Sequence, residues 1–246
     1  MLIDPATMLW VGVVAFGAAV IGGLGGFGTG VILTAVLIPL VGVKAVLPLL
    51  TVAGVVINGG RMFFNRAAID WRVCRTVLVA ALPAALAGVY VFSILPARSL
   101  QIILASFIGA VVPLRRWAAH RNWRLGTRSV LFGGGVFGFL SGIVSGTGLF
   151  LISLLLATGL PGAAIIATDA TISLINDAFR LALFGNYALM DASTIATGAI
   201  IGAITIPGSY CARWLSTRLS AHLHIAVIEA MLLIAAVWLI VAALRG

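Results

Sequence analysis

Long apolar runs separated by short polar connections define the chain. No charged residue occurs within 5–43, 129–168 or 192–212. A helix needs about 20 apolar residues to cross the hydrocarbon core of a bilayer, and each of these runs reaches that length. The runs lack the strict alternation of apolar and polar residues that a membrane β-barrel requires. The pattern therefore predicts an all-α integral membrane protein.

Charges, prolines and glycines divide the sequence into segments of spanning length. We expect about eight transmembrane helices, near 6–38, 45–64, 73–95, 99–115, 129–157, 162–184, 191–214 and 222–244. Landmarks recur in the same order: Gly28-Thr29-Gly30 reappears as Gly146-Thr147-Gly148, and Asn58 reappears as Asn176 at the same offset. The sequence thus predicts two homologous four-helix repeats, 1–116 and 129–246, joined by a basic cytoplasmic linker at 117–128. Parallel and inverted repeats both remain open, as both occur in transporters.

Composition strengthens the membrane interpretation. Hydrophobic residues make up 62% of the chain and charged residues 9%, whereas soluble domains carry about 25% charged residues. The net charge of +9 does not indicate a nucleic-acid partner, because the basic residues lie in the connections without the interleaved aromatic residues of a binding face. Membrane lipid is the partner that this surface predicts.

The basic residues also predict an orientation. With eight spans, one side holds ten arginines and the other four basic residues: Arg61, Arg66, Arg72, Arg75, Arg115, Arg116, Arg121, Arg124, Arg128 and Arg245 against Lys44, Arg98, Arg213 and Arg218. Cytoplasmic loops carry the excess of positive charge, so both termini are expected in the cytoplasm. The opening MLIDPATM has no positive charge, and we expect the first apolar run to be a retained span rather than a signal peptide.

Glycine clusters interrupt two of the long runs. GGLGGFGTG at 22–30 and SGIVSGTG at 141–148 fall near the middle of the first and fifth segments. One explanation is close helix packing through small residues spaced four apart. The other is a broken, glycine-rich first helix in each repeat, whose exposed amides and positive helix end would bind an anion. A nucleotide-binding loop is excluded because no lysine follows the glycines.

The segment 163–184 carries ionisable residues inside an apolar run. Asp169, Asn176 and Arg180 return to nearly one angle on a helix, and Asp177 lies about 80° away. Asp177 and Arg180 could neutralise each other at a contact inside the bundle. Alternatively, Arg180 is an anion clamp and Asp169 or Asp177 carries a proton, because burial disfavours the charged form of a carboxyl group.

The first half contains a matching polar stripe. Thr51 and Asn58 have the same seven-residue spacing, and Arg61 follows three residues later. Asn58 and Asn176 could donate to opposite sides of a bound oxyanion, or each could form an interhelical hydrogen bond. Glu229 is a single carboxyl group within the last span and a further candidate for proton coupling.

These patterns define two sets of candidate residues. The substrate-binding set is Gly26, Gly28, Thr29, Gly30, Asn58, Gly146, Thr147, Gly148, Asn176 and Arg180; the proton-coupling set is Asp169, Asp177 and Glu229. The histidines and cysteines lack metal-ligand spacing, and no Ser/His/Asp order or carboxylate pair suggests hydrolysis. We therefore expect no metal, no cofactor and no enzymatic activity.

The repeated layout resembles the sulfite exporter TauE/SafE family, also called TSUP transporters. The resemblance rests on GGLGGFGTGVILTAVLIPLVG, GFLSGIVSGTGLFLISLLLATGLP, TDATISLINDAFRLALFG and AAIDWRVCRTVLVAALPAALAG, and it covers roughly 8–244. It implies a transporter in the bacterial inner membrane for sulfite, sulfoacetate or another organosulfonate.

The residues and the resemblance together favour a secondary transporter for a small sulfur-containing anion, coupled to a proton or another ion. A passive anion channel and a non-transporting membrane assembly subunit are the alternatives. The close small-residue faces are compatible with a homodimer.

Overall fold

The computed structural model describes residues 4–25, 29–119 and 124–216, and every regular element in these ranges is helical. The helices are α1 (Pro5–Gly25), α2 (Thr29–Val41), α3 (Val43–Asn65), α4 (Trp71–Ile94), α5 (Ala97–Ala119), α6 (Thr127–Ile143), α7 (Gly148–Leu156), α8 (Gly162–Asn186) and α9 (Ala192–Ser216). A short 3₁₀ turn, Arg66–Ala68, follows α3. The all-α prediction is thus confirmed for the described ranges.

The helices follow the predicted segments closely. Two helices, α1 and α2, cover the first predicted span, and α6 and α7 cover the fifth. Three stretches are long and apolar enough to cross a membrane by length and composition, namely Val43–Ala68, Trp71–Ile94 and Ala192–Ala212. Helix α8 has 25 residues but carries three charged side chains. The last predicted span, 222–244, lies outside the described residues, so the count of eight stays a prediction.

Local chemistry explains where several helices begin. Gly42 has φ +79° between α2 and α3, a left-handed conformation that glycine adopts without a steric penalty. The carboxylate of Asp70 accepts the Val73 N–H at 2.9 Å and caps α4. The carboxylate of Asp191 accepts the Thr194 N–H at 2.8 Å at the start of α9. Asp residues are among the best N-caps because they satisfy amides that the helix leaves unpaired.

A glycine seam joins α4 to α6. Gly134, Gly138 and Gly142 recur every fourth residue and form one face of α6. A Cβ atom at Gly134 would lie 2.7 Å from the Val77 carbonyl oxygen, and one at Gly142 would lie 2.6 Å from the Val89 nitrogen. These helices therefore pack backbone against backbone, as the small-residue explanation of glycine requires.

The remaining contacts build two apolar cores around the interior of the bundle. One is shared by the first five helices and by parts of α6 to α9, and its aromatic contact joins Phe92 to Phe184 with ring centroids 5.7 Å apart. The other lies between α4, α6, α7 and α8. Large apolar side chains also cover much of the outer surface, including Leu9, Val79 and Phe132. That outer surface suits contact with lipid.

The two halves share an order of elements over the described residues. A helix pair (α1 with α2, α6 with α7) is followed by α3 or α8 and then by α4 or α9. Helices α4 and α9 each begin at an aspartate cap, and they contain Pro83 and Pro207 respectively. The fourth helix of the second half would fall on residues outside the described ranges. The division into two repeats and a linker therefore stays a prediction.

Candidate functional site

A true interruption separates α6 from α7. Helix α6 ends at Ile143 and α7 begins at Gly148. Between them, Gly146 has φ +86°, and a Cβ atom there would overlap Cγ2 of Val31. Both the backbone conformation and the close neighbour therefore require glycine. No side chain caps the first amides of α7, and one of them, the Leu149 N–H, donates to the Gly146 carbonyl at 3.4 Å.

The start of α2 lies against this interruption. A Cβ atom at Gly30 would lie 3.3 Å from the Ser145 hydroxyl oxygen and 3.8 Å from the Gly146 nitrogen. The Ser145 hydroxyl donates to the Gly30 carbonyl at 3.5 Å. The N-terminal ends of α2 and α7 thus meet inside the bundle. Gly26 and Gly28, which the sequence also proposes for the site, lie outside the described residues.

These two helix starts face a cavity of about 180 Å³. Helices α3 and α8 complete its walls, and its polar or glycine lining comprises Thr29, Gly30, Gly54, Asn58, Arg61, Ser145, Gly146, Thr147, Gly148, Asp169, Ser173, Asn176, Asp177 and Arg180. Pockets for drug-sized molecules usually measure about 300–1,000 Å³. The cavity is therefore suited to a small ligand.

A continuous polar network connects α3 with α8 along the cavity. Arg61 Nη2 lies 3.1 Å from Asp169 Oδ2, and Arg61 Nη1 donates to Asn58 Oδ1 at 3.3 Å. Asn58 Nδ2 donates to Asp177 Oδ2 at 3.1 Å, and Arg180 Nη1 lies 3.4 Å from Asp177 Oδ1. Asn58 therefore links the two ion pairs to each other.

Two hydroxyl groups bind polar side chains of α8 that line the cavity. The guanidinium of Arg180 also donates to Thr51 Oγ1 of α3. Asn176 Nδ2 donates to Ser141 Oγ of α6 at 2.9 Å, and that hydroxyl donates to the Gly138 carbonyl at 2.7 Å. Thus α6, α3 and α8 are connected by polar bonds that converge on the cavity.

The ionised side chains that line the cavity balance one another. The described lining contains two cations and two anions, Arg61, Arg180, Asp169 and Asp177, so its formal charge is zero. Three of these residues are deeply buried, while the Arg61 side chain is 26% exposed. An extra anion would therefore leave the lining with an uncompensated negative charge.

Some buried polar atoms of this lining have no hydrogen-bond partner among the described residues. They are Arg180 Nε, Asn176 Oδ1 and Asp169 Oδ1. An unpaired buried polar atom costs about 1–3 kcal/mol. The site therefore retains hydrogen-bonding capacity that its own side chains do not use.

The described candidate residues all lie around this cavity. Thr29, Gly30, Asn58, Gly146, Thr147, Gly148, Asn176 and Arg180 line it, as do Asp169 and Asp177. The structure also shows the interactions that a purely structural role of these residues predicts: Asp177 pairs with Arg180, and both asparagines form interhelical hydrogen bonds. Glu229 lies outside the described residues. A role of these residues in binding or proton coupling stays a prediction.

Sequence reasoning did not select several residues of this site. Arg61 and Thr51 belong to the predicted polar stripe but not to the candidate set, and Gly54, Ser141 and Ser145 belong to neither. Gly54 precedes Asn58 by four residues, so helical periodicity could have placed it on the same face. Ser141 and Ser145 belong to the glycine-rich segment 141–148 itself, and no spacing rule distinguishes them from packing residues.

An apolar helical bundle that encloses a small charged cavity at helix starts is the architecture of a membrane transport protein. The described residues contain no cluster of His, Cys, Asp and Glu that could hold a metal ion. Residues 11–239 match the sequence model of the family described as Sulfite exporter TauE/SafE. The chain belongs to this family. No curated protein and no solved structure matched the chain in the corresponding comparisons.

Proposed function

We propose that the protein is a secondary transporter that moves a small sulfur-containing anion across the bacterial inner membrane. Sulfite, sulfoacetate and other organosulfonates are the substrate class, and the cavity between α2, α3, α7 and α8 is the binding site. The observation that carries the proposal is that an uncapped helix start and Arg180 line the same cavity inside an apolar bundle. The proposed orientation has both termini in the cytoplasm.

The chemistry of the lining favours an oxyanion. Backbone amides at the start of α7 carry the positive end of the helix dipole. A guanidinium binds planar oxygen pairs with charge-assisted hydrogen bonds, and the Arg180 Nε has no hydrogen-bond partner among the described residues. Asn58 and Asn176 come from α3 and α8 and add amide groups on two sides. A sulfite or sulfonate group fits both these donors and a cavity of about 180 Å³.

Charge compensation favours coupled transport. The ionised groups of the described lining already sum to zero, and an uncompensated charge within a membrane is costly. An anion would therefore enter with a proton or another cation. A passive channel would instead show flux that does not saturate and does not depend on the proton gradient, and a non-transporting subunit would bind no anion.

Thermal unfolding of the detergent-purified protein tests the proposal. We would measure the melting temperature with sulfite, sulfoacetate, methanesulfonate, thiosulfate and acetate. A ligand at 100 times its dissociation constant stabilises the fold by about 2.7 kcal/mol. The proposal expects a shift with at least one sulfur anion and none with acetate. Stabilisation by acetate alone, or by none of them, would refute it.

A double variant then tests the site. Arg180→Met together with Asp177→Asn removes the guanidinium without leaving a charged partner alone, and should abolish both the thermal shift and the uptake of labelled sulfite into proteoliposomes. Arg128→Met is the matched control, because Arg128 is exposed and is not part of the cavity lining. Normal uptake by the double variant would remove Arg180 from the site.

A further inference from the structure

We propose that the carboxylate of Asp177 is an internal substitute for the transported anion. In the described state it takes the place between Arg180 and Asn58 that oxygens of the substrate would take. It gives up this place when it binds a proton, so each anion bound brings one proton with it. This inference rests on the function proposed above and names the residue that couples the two ions.

The contacts of Asp177 are those expected of a bound oxyanion. One carboxylate oxygen lies 3.4 Å from Arg180 Nη1, and the other accepts the Asn58 amide at 3.1 Å. A single carboxylate therefore interacts with a cation of α8 and accepts a hydrogen bond from a neutral donor of α3 at the same time. A sulfonate or sulfite presents the same kind of paired oxygens to a guanidinium. The two groups would compete for the same donors.

Helix α3 leaves room for this carboxylate. Gly54 precedes Asn58 by one helical turn, and a Cβ atom at Gly54 would overlap Asp177 Oδ2 and lie 3.2 Å from Asp177 Cγ. Gly54 and Asn58 thus form a shallow cradle on α3 into which the Asp177 side chain fits. An ion pair between Asp177 and Arg180 alone would not require a glycine on α3 opposite the carboxylate. The fit therefore supports a specific position for the Asp177 side chain.

Asp169 does not share this arrangement. It pairs with Arg61 at 3.1 Å, and its second oxygen has no partner among the described residues. Its described contacts include neither Arg180 nor Asn58, the two donors proposed for the anion. Protonation of Asp169 would release Arg61, which is partly exposed at the edge of the cavity. The geometry therefore selects Asp177.

The charges around Asp177 define the exchange. Arg180 and Asp169 face the cavity from α8 and Arg61 from α3; α7 carries no ionisable side chain. From α4, Cys74 is buried away from this lining and Asp70 is engaged in capping, while Arg66 of the 3₁₀ turn is exposed. A proton from the aqueous phase on Asp177 changes the lining from neutral to +1, and a bound monovalent anion restores neutrality.

Calorimetry of the wild-type protein tests this exchange directly. Methanesulfonate is the probe for proton uptake because it is a monovalent anion whose charge is constant over the pH range; sulfoacetate, a dianion at pH 6 and above, tests binding alone. Titrations in buffers of different ionisation enthalpy count the protons taken up on binding. At pH values where Asp177 of the free protein is ionised, we expect about one proton per methanesulfonate bound and an affinity that falls about tenfold per pH unit. Binding with no proton uptake would refute this inference and leave the proposed function intact.

Two matched variants identify the residue. Asp177→Asn imitates the protonated side chain, so it should bind the anion at least tenfold more tightly than the wild type at alkaline pH and without pH dependence. Its stability should also depend strongly on the anion, because Arg180 then lacks its internal partner. Asp169→Asn raises the formal charge of the lining in the same way but leaves the Asp177–Arg180 pair in place, so its affinity can change but should still depend on pH. The inference fails if Asp177→Asn retains that dependence or if Asp169→Asn alone loses it.

The outcomes separate the two proposals. Absence of binding to the wild-type protein removes the transporter function and this inference together. Binding without proton uptake removes only the inference. The wild-type titration decides the matter even if a variant does not fold.

Discussion

Two of the helix contacts that connect the part of the chain before residue 120 with the part after 123 differ in kind, namely those of α4 with α6 and of α3 with α8. The contact between α4 and α6 is a glycine seam in which backbones touch and no charged side chain takes part. The contact between α3 and α8 contains two ion pairs, a bridging asparagine and a cavity. The same small residue serves both: Gly138 brings two backbones together, whereas Gly54 makes room for a carboxylate.

The difference indicates which helix contact of the bundle is rigid and which can rearrange. A close backbone seam has one good geometry, because separating it by even a methyl group removes its packing. A polar contact around a cavity can exchange one set of hydrogen bonds for another at small cost. We infer that α4 and α6 remain together as a scaffold while the α3–α8 contact rearranges when ligand binds. The following four experiments test this distinction, from the largest expected effect to the smallest.

Removing one member of the buried ion pair should have the largest effect on stability. Arg180→Met leaves Asp177 without its cation, and breaking a buried pair in this way costs about 3–5 kcal/mol. The double variant with Asp177→Asn should recover most of the loss, because two neutral residues then replace the pair. Chemical unfolding in mild detergent measures both. If the double variant were as unstable as the single variant, the loss of stability would not come from the unpaired charge of Asp177.

Filling the glycine seam should come second. A Cβ atom at Gly138 would overlap the backbone of Ala81, which cannot rotate away. Gly138→Ala should therefore destabilise the protein by about 1–3 kcal/mol, as overpacking does. Gly135→Ala is the matched control on the same helix, since its Cβ atom would lie 3.9 Å from the Ala80 Cβ atom. Equal unfolding free energies for the two variants would contradict the scaffold role.

Gly54→Ala should affect ligand binding more than stability. The new methyl group displaces the end of the Asp177 side chain, which can rotate, and alanine regains helix propensity of about 1 kcal/mol. We expect a stability change within about 1 kcal/mol but a weaker pH dependence of methanesulfonate affinity. Gly60→Ala on the same helix is the control, because its Cβ atom would meet no atom within 4 Å. An unchanged pH dependence in Gly54→Ala would argue against the cradle.

Asp191 belongs to neither contact and should give the smallest effect. Hydrogen bonds from the Thr194 hydroxyl, the Thr194 N–H and the Ser193 hydroxyl lower the pKa of Asp191 from its ordinary value of 3.8 to about 2. A pKa that is lower in the folded state stabilises the fold above the unfolded value and loses that effect as pH falls through the folded value. Melting temperatures of the wild type and of Asp191→Ala should therefore differ above about pH 4 and converge towards pH 2. A difference that persists at pH 2 would assign the effect to something other than ionisation.

Much of this architecture follows from the sequence because lipid imposes simple requirements. Uncharged runs had to be helices. The interruption near Gly146 is one of the two explanations that the glycine cluster at 141–148 allowed, the other being close helix packing. Periodicity placed Asp169, Asn176 and Arg180 on one face, and all three line the cavity.

The partners across helices did not follow from the sequence. Seven-residue spacing relates residues of one helix but does not say that Asn58 reaches Asp177 or that Arg61 reaches Asp169. Glycine posed the same difficulty, since a packing glycine such as Gly138 and a conformational glycine such as Gly146 look alike in the text. The separation depends on what lies opposite each residue, which only the tertiary structure defines.

The contact of Gly146 with Val31 carries a mechanical consequence. The backbone of one half sits directly against the first turn of a helix from the other, with no space for even a methyl group between them. Movement of α2 relative to the interruption between α6 and α7 would therefore disturb this contact beside the cavity. A bulkier side chain at position 146 would overlap Val31 and push these two segments apart. It would do so even if every group that touches the anion stayed in place.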